Sequence, residues 1–243
     1  MLLTMLQFLW FYLWNVIIFP FFIVFTKPFN NWTFHTYIDH VVTNQCDIRH
    51  TLTADEPLIP CGYILANHRS WTDLILDPCI AKSSIVGRGM AVIAMNFAAC
   101  LGILDGVLFI LIRGKETRQE LFNRVKAHIE QHKTIKRMLF CPEGTRMKYK
   151  KLESADELKT YLKYGLLKSI YEDKSYPVQL QISNNKEFVI DEKKWILNRG
   201  ISVHTHHSKA IYPKDFNTEA EFYDEIARVW YECYLKTHSQ KND

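Results

Sequence analysis

No aspartate, glutamate, lysine or arginine occurs before Lys27. A helix over these first 26 residues would reach ~39 Å at ~1.5 Å per residue, against a bilayer hydrocarbon core of ~30 Å. The start of the chain can therefore enter or cross a membrane. A cleavable leader would carry a basic start and a small-residue cleavage site, and neither is present, so residues 1–33 are expected to form a retained membrane anchor. Pro20 kinks or ends a helix, which leaves two geometries: a single span, or a re-entrant helix pair in the interface. Trp10, Tyr12, Trp14 and Trp32 suit an interface in either case. A helix buried in a soluble core is the alternative, and uncharged runs of this length are uncommon there.

The rest of the 243-residue chain, 34–243, is long enough for one catalytic domain and too short for two of ordinary size. A net charge of +4 is too small to argue for nucleic acid without a reading motif, and fits an anionic lipid surface or a phosphorylated substrate better. The six cysteines (Cys46, Cys61, Cys79, Cys100, Cys141 and Cys233) show no CxxC spacing. They are expected to be reduced thiols in a domain that faces the cytosol.

Short apolar runs at 61–66, 107–112, 137–141, 178–182 and 201–205 have the length and composition of strands. Between them lie amphipathic helical patterns. Residues 117–132 carry Leu121, Val125 and Ile129 in register, with Thr117 and Glu120 as a capping box. Residues 154–171 repeat the pattern with Leu158, Leu162, Leu166 and Ile170, and residues 219–236 form a last helix. Such alternation predicts an α/β sheet covered by helices, with its site at strand ends. Residues 29–46 are expected to be a polar connection. The apolar stretch 89–112 could be taken for a second membrane span, but a span there would put the motifs around it on opposite sides of the membrane. It is expected instead to break at Asp105-Gly106 into a helix and a core strand.

Directly after the strand at 61–66 comes Asn67-His68-Arg69-Ser70-Trp71-Thr72-Asp73. An imidazole titrates near neutrality and suits deprotonation of an attacking alcohol, provided a carboxylate fixes its tautomer. Five residues of ideal helix turn ~500°, leaving the two side chains ~140° apart. His68 can meet Asp73 only from ahead of the helix, with Ser70 as its N-cap. The same residues also read as an ordinary Ser-x-x-Asp cap, and an HxxxxD match arises by chance in roughly half of chains this size. A second block, Pro142-Glu143-Gly144-Thr145-Arg146, follows the strand at 137–141. Gly144 permits close backbone approach, Thr145 offers a hydroxyl and Arg146 can grip a phosphate in bidentate fashion. Taken alone it also reads as a surface turn.

The two blocks together, NHRSWTD and PEGTR in that order, resemble the glycerolipid acyltransferase family that includes the 1-acylglycerol-3-phosphate acyltransferases. The run Phe109-Ile110-Leu111-Ile112-Arg113 looks like the family's second block, although Ile112 stands where a polar residue is common. Tyr176-Pro177-Val178-Gln179-Leu180-Gln181 looks like the fourth, with one of two prolines kept and two glutamines in place of apolar residues. The resemblance implies a mixed sheet covered by helices and an O-acyltransferase in which His68 is the general base and Asp73 its orienting partner. Arg113, Glu143, Gly144, Thr145 and Arg146 would bind the acceptor phosphate. It implies acyl-CoA as co-substrate, a lysophospholipid acceptor, membrane lipids as surroundings, no cofactor and no metal; in a eukaryote the expected location is the endoplasmic reticulum. No nucleic acid or protein partner is implied.

Two alternatives are kept. Cys141 beside the second block could act as a nucleophile in a thioesterase or transacylase, or the motifs could be relics in a lipid-binding protein. His204, His206 and His207 hint at a metal, but no carboxylate or cysteine stands near them in sequence.

Overall fold

The structure is a computed structural model that describes residues 33–88, 102–103, 105–111, 117–147, 151–194 and 196–238, with seven helical positions before Thr33. Seven strands form one sheet in the order β1-β9-β6-β2-β5-β3-β4. They are β1 Arg49–Ala54, β2 Gly62–Ala66, β3 Ser84–Arg88, β4 Leu108–Leu111, β5 Arg137–Phe140, β6 Val178–Ser183 and β9 Ser202–His207. A two-stranded hairpin, β7 Ile190–Asp191 and β8 Ile196–Leu197, stands apart. The helices are α1 Thr33–His40, α2 Asp73–Ala81, α3 Arg118–Gln131, α4 Ala155–Tyr161, α5 Tyr164–Asp173 and α6 Glu219–His238.

Strands β6, β2, β5, β3 and β4 run parallel, while β9 pairs antiparallel to β6 and carries β1 with it. The sheet is therefore mixed. Along β2 the side chains alternate between two cores: Ile64 and Ala66 join one with α1 and α2, and Tyr63 and Leu65 join the other with α3 to α6. Burial on both faces makes CGYILA an uninterrupted apolar run, as expected of a central parallel strand. Three neighbouring parallel strands, β6, β2 and β5, end side by side, and the loops that follow them build the site.

All five predicted strands are present, and α3 has the capping box read from Thr117 and Glu120. Three expectations need correction. Residues 33–46 are not a polar connection: α1 and a wider π-turn over Val41–Gln45 bury Phe34, Tyr37, Ile38, Val41 and Val42 against α2. His35 and Asn44 masked this apolar stripe in the sequence. The single helix expected over 154–171 is two, because the chain leaves helical geometry at Leu162 and the Lys163 amide donates instead to the Pro142 carbonyl, at 2.8 Å. That bond ties α5 to the PEGTR loop. Finally, β1, β3, β7 and β8 have no counterpart in the predicted set; RHTLTA is a mostly exposed edge strand, SIVGR has large apolar residues only at Ile85 and Val86, and β7 and β8 are two residues each, so none shows a clear apolar run.

The break at Asp105-Gly106 is a turn, with Gly106 at φ +67° and β4 following, and Asp105 accepts the Phe34 amide at 2.9 Å at the start of α1. Residues 89–101 lie outside the described part. So does most of the expected anchor, and among the described residues no helix is long and apolar enough to cross a membrane. The seven described positions before Thr33 (Leu6, Leu9, Trp10, Leu13, Trp14, Ile17 and Phe21) fall three or four apart, on one helical face, and each is 37–60% exposed. Several of them line an apolar groove with Ile196, Leu197 and Ile201.

Gly62 opens β2 at φ +129°, and a Cβ there would stand 2.5 Å from the Pro177 carbonyl oxygen. The backbones of β2 and β6 approach too closely for any side chain. Gly62→Ala is expected to cost about 2–4 kcal/mol from the strained conformation and the contact together. A shift of the urea midpoint corresponding to less than 1 kcal/mol would show that the strand can yield at this point.

Candidate active site

His68 lies in the loop between β2 and α2, ahead of the helix as the geometry required. Its Nδ1 is 2.8 Å from Asp73 Oδ2. Asp73 is the first residue of α2, and the turn leading into it starts at Ser70, whose hydroxyl accepts the Thr72 amide at 3.1 Å and whose carbonyl accepts the Asp73 amide at 3.3 Å. Asp73 Oδ2 also accepts the amides of Arg69 and, at 3.0 Å, Ser70. The helix is capped from Thr72, without a side-chain bond, rather than from Ser70, and the Asp73 carboxylate both closes this turn and faces the imidazole. A group held by two amides and the helix start cannot swing away from the imidazole, so the His68 ring is fixed by a rigid partner.

Asp73 is 1% exposed, while the His68 side chain keeps 23% of its surface open. Burial opposes ionisation of Asp73, but the Lys186 ammonium, the His68 imidazole and the Arg69 amide outweigh it and hold the carboxyl below its usual range. With Nδ1 engaged by a carboxylate, Nε2 is the nitrogen left to take a proton.

The PEGTR block lies beside His68 because β5 is the parallel neighbour of β2. Glu143 is fully buried and accepts the His68 main-chain amide; the Met147 amide donates to the His68 carbonyl at 3.0 Å. Both main-chain groups of His68 are therefore held by the loop after β5, through Glu143 of the second block and Met147 just past it. Burial pushes the Glu143 carboxyl up to about 8, against the opposing pull of the His68 amide and Arg69. Gly144 takes φ +68° in a turn closed by its amide on the Cys141 carbonyl at 3.0 Å, and it turns the chain so that Thr145 and Arg146 are exposed. Arg146 makes an ion pair with Glu192, in the turn between β7 and β8, and the same carboxylate accepts the Trp71 amide at 2.8 Å. Glu192 thus joins the two motif blocks through a third segment. Arg113 lies outside the described residues.

Sequence reasoning missed three residues here: Glu192, Asp77 and Lys186. Asp77 carried a readable signal, an acidic residue inside the apolar run LILDPCIA and four positions after Asp73, hence on the same helical face. Nothing near Lys186 or Glu192 in the sequence distinguishes either from a surface residue. The two glutamines that break the fourth block are accounted for. Both are fully buried. Gln179 donates to the carbonyls of Ser208 and Pro57 and accepts the Ile59 amide, and Gln181 bonds Asp77 and His207. They hold the loops and helix on that face of β6, where apolar side chains would leave these groups unsatisfied.

Cys141 sits among the buried charges, and burial with the negative potential of Asp73 and Asp77 raises its thiol well above the ordinary value. A nucleophilic cysteine needs the opposite shift. Two of the β9 histidines have separate side-chain partners, His206 meeting Asp55 and Thr53 and His207 bonding Gln181, while His204 bonds Asn184 through its main-chain amide and its ring Nδ1 is buried without a hydrogen bond. Among the described residues no group of acidic, histidine or cysteine side chains is arranged to hold a metal ion.

No protein-family model matches the sequence, and no curated protein matches it either. The fold does have a counterpart. The crystal structure of the 1-acyl-sn-glycerophosphate (LPA) acyltransferase PlsC from Thermotoga maritima superposes with a TM-score of 0.71, over 100% of this chain and 99% of that one, at 15% sequence identity. The chain has the fold of that enzyme from end to end.

Proposed function

We propose that this chain is a member of the glycerolipid acyltransferase family that transfers a fatty acyl group from acyl-CoA to the free hydroxyl of a lysophospholipid, with 1-acylglycerol-3-phosphate as the acceptor and phosphatidic acid as the product. The observation that carries the reading is the contact of His68 Nδ1 with the buried, ionised Asp73 at the end of the central strand. The two motif blocks, adjacent in space, and the full-length likeness to an acyltransferase fold support it.

In the reaction, His68 Nε2 takes the proton of the acceptor hydroxyl as its oxygen attacks the thioester carbonyl, and Asp73 stabilises the imidazolium that forms. The tetrahedral intermediate collapses with cleavage of the C–S bond. The departing CoA sulfur receives the proton from His68, which restores the neutral base. No covalent acyl-enzyme is formed. Arg146, Thr145 and Gly144, with Arg113, seat the acceptor phosphate, and Glu143 braces the loop through the His68 amide. The exposed apolar face of the first segment supports a position on or in a membrane, where the proposed acceptor resides.

The test is transfer by detergent-purified protein from labelled oleoyl-CoA to a panel of lysophospholipids and glycerol-3-phosphate. Labelled phosphatidic acid formed from 1-acylglycerol-3-phosphate is the expected result. CoA release without acyl-lipid product would sink the reading in favour of a thioesterase. Cys141→Ala is expected to keep at least about half of the wild-type rate, because direct attack uses no thiol; loss of transfer in a folded variant would require the covalent route.

A further inference from the structure

Lys186 is fully buried, and its ammonium is 3.2 Å from Asp73 Oδ1, 2.7 Å from Asp77 Oδ2 and 2.7 Å from the Asn67 carbonyl. A lysine this deep is rare, and it holds its charge only where anions surround it. Its place is built rather than incidental. β6 ends at Ser183, Asn185 takes a left-handed conformation at φ +56°, and the tight turn Lys186–Phe188 follows at the ends of the parallel strands. Ser70, at the start of the α2 turn, pins the Lys186 carbonyl with its hydroxyl at 3.2 Å. Asn67, just before His68, exchanges bonds with Ser183 at 2.8 and 3.0 Å. The segment that carries Lys186 is thus locked to the loop that carries the base.

We infer that Lys186 is a positioning residue for the acyl transfer: its ammonium keeps the buried Asp73 ionised across the working pH range, so that His68 stays in the tautomer that can accept a proton at Nε2. Asp77 anchors the ammonium from the next turn of α2. The groups facing Asp73 are His68 and Arg69 from the β2 loop, Asp77 from its own helix, Cys141 and Glu143 from the β5 end, and Lys186 from the turn after β6. Of these, the carboxyls of Asp77 and Glu143 are already driven up by burial, Asp77 to about 7. Lys186 is the cation with the largest influence on Asp73. Without it, two buried carboxylates four residues apart have no cation between them, and they take up protons instead of staying ionised.

The proposal rests on the acyltransferase reading only in its kinetic arm, so two measurements are paired on full-length protein in detergent. The first is melting temperature against pH for wild type and Lys186→Met. Carboxyls with raised folded values bind more protons folded than unfolded, and that contribution to stability is lost as pH rises. The gap between the two proteins should therefore widen from pH 5 to pH 9, by roughly 3 °C per pH unit where a full extra proton is held. Parallel melting curves would overturn the proposal, because lost packing alone does not depend on pH.

The second measurement is the acid limb of kcat/KM for acyl transfer. It should move up by about one pH unit or more in Lys186→Met, since Asp73 must now lose a proton before His68 can act. The double variant Lys186→Met/Asp77→Asn removes one carboxylate with the cation, so it keeps the test available should the single variant fail to fold. Its melting gap should be smaller and flatter, with the acid limb still raised. An unmoved limb in an active variant dismisses Lys186 and leaves the acyltransferase reading standing; absence of transfer in the wild type does the reverse, and the melting curves still decide the role of Lys186.

Discussion

His68→Ala lowers kcat for transfer from oleoyl-CoA to 1-acylglycerol-3-phosphate by about 10³-fold with little change in KM, the expected loss when a positioned general base is removed. The acceptor hydroxyl is a weak nucleophile at neutral pH, and the His68 imidazole is both partly open and oriented by an ionised carboxylate. Folding should survive. The ring is not part of either core, and the main chain of residue 68 is held through its amide and carbonyl by Glu143 and Met147, bonds that alanine can keep. A steady-state comparison with melting curves alongside decides it. A folded variant retaining more than a tenth of the wild-type kcat would remove His68 from the chemistry.

Asp73→Asn is expected to cost about as much, on the order of 10²–10⁴ in kcat, for a different reason. The shape is conserved while the charge is lost. An amide that donates to Nδ1 would leave the proton on Nε2, where a base must be vacant, and the imidazolium would have no counter-ion. The Arg69 and Ser70 amides meet the same Asp73 oxygen as Nδ1, so an NH2 turned to the imidazole leaves both without their acceptor, while Lys186 keeps Asp77; a stability loss of about 2–4 kcal/mol is expected rather than unfolding. Because the two side chains act as one unit, His68→Ala/Asp73→Asn should lose no more than the more severe single variant. Losses that multiply would mean that Asp73 works independently of His68.

What the sequence could reveal about this site follows from the range over which its parts interact. His68 and Asp73 are five positions apart, and helix geometry alone determined how they could meet. The strands that build the site were legible because β2 and β5 are buried on both faces and carry apolar runs, and β6 keeps Val178, Leu180 and Ile182 in alternation with its glutamines, whereas β1 lies at an exposed edge and leaves no such trace. The ion pairs were beyond reach. Lys186 is 109 residues from Asp77, and Glu192 comes from a hairpin outside the main sheet, so their neighbours are set by strand order, which local pattern does not encode. The break at Leu162 was hidden for the same reason: its cause is a carbonyl in a distant loop.

The main chain of His68 is clasped on both sides by the loop after β5, and these two loops are neighbours only because their strands are paired in parallel. The distance between the motifs along the chain therefore has no bearing on the distance between them in space. The loops between β3 and β5 can lengthen or shorten without altering the geometry of the base, so long as β4, α3 and the pairing of Gly62–Leu65 with Arg137–Phe140 are kept. A lineage could remodel those loops to suit a new membrane or acceptor, while a one-residue slip between two adjacent strands would separate the catalytic loop from its support.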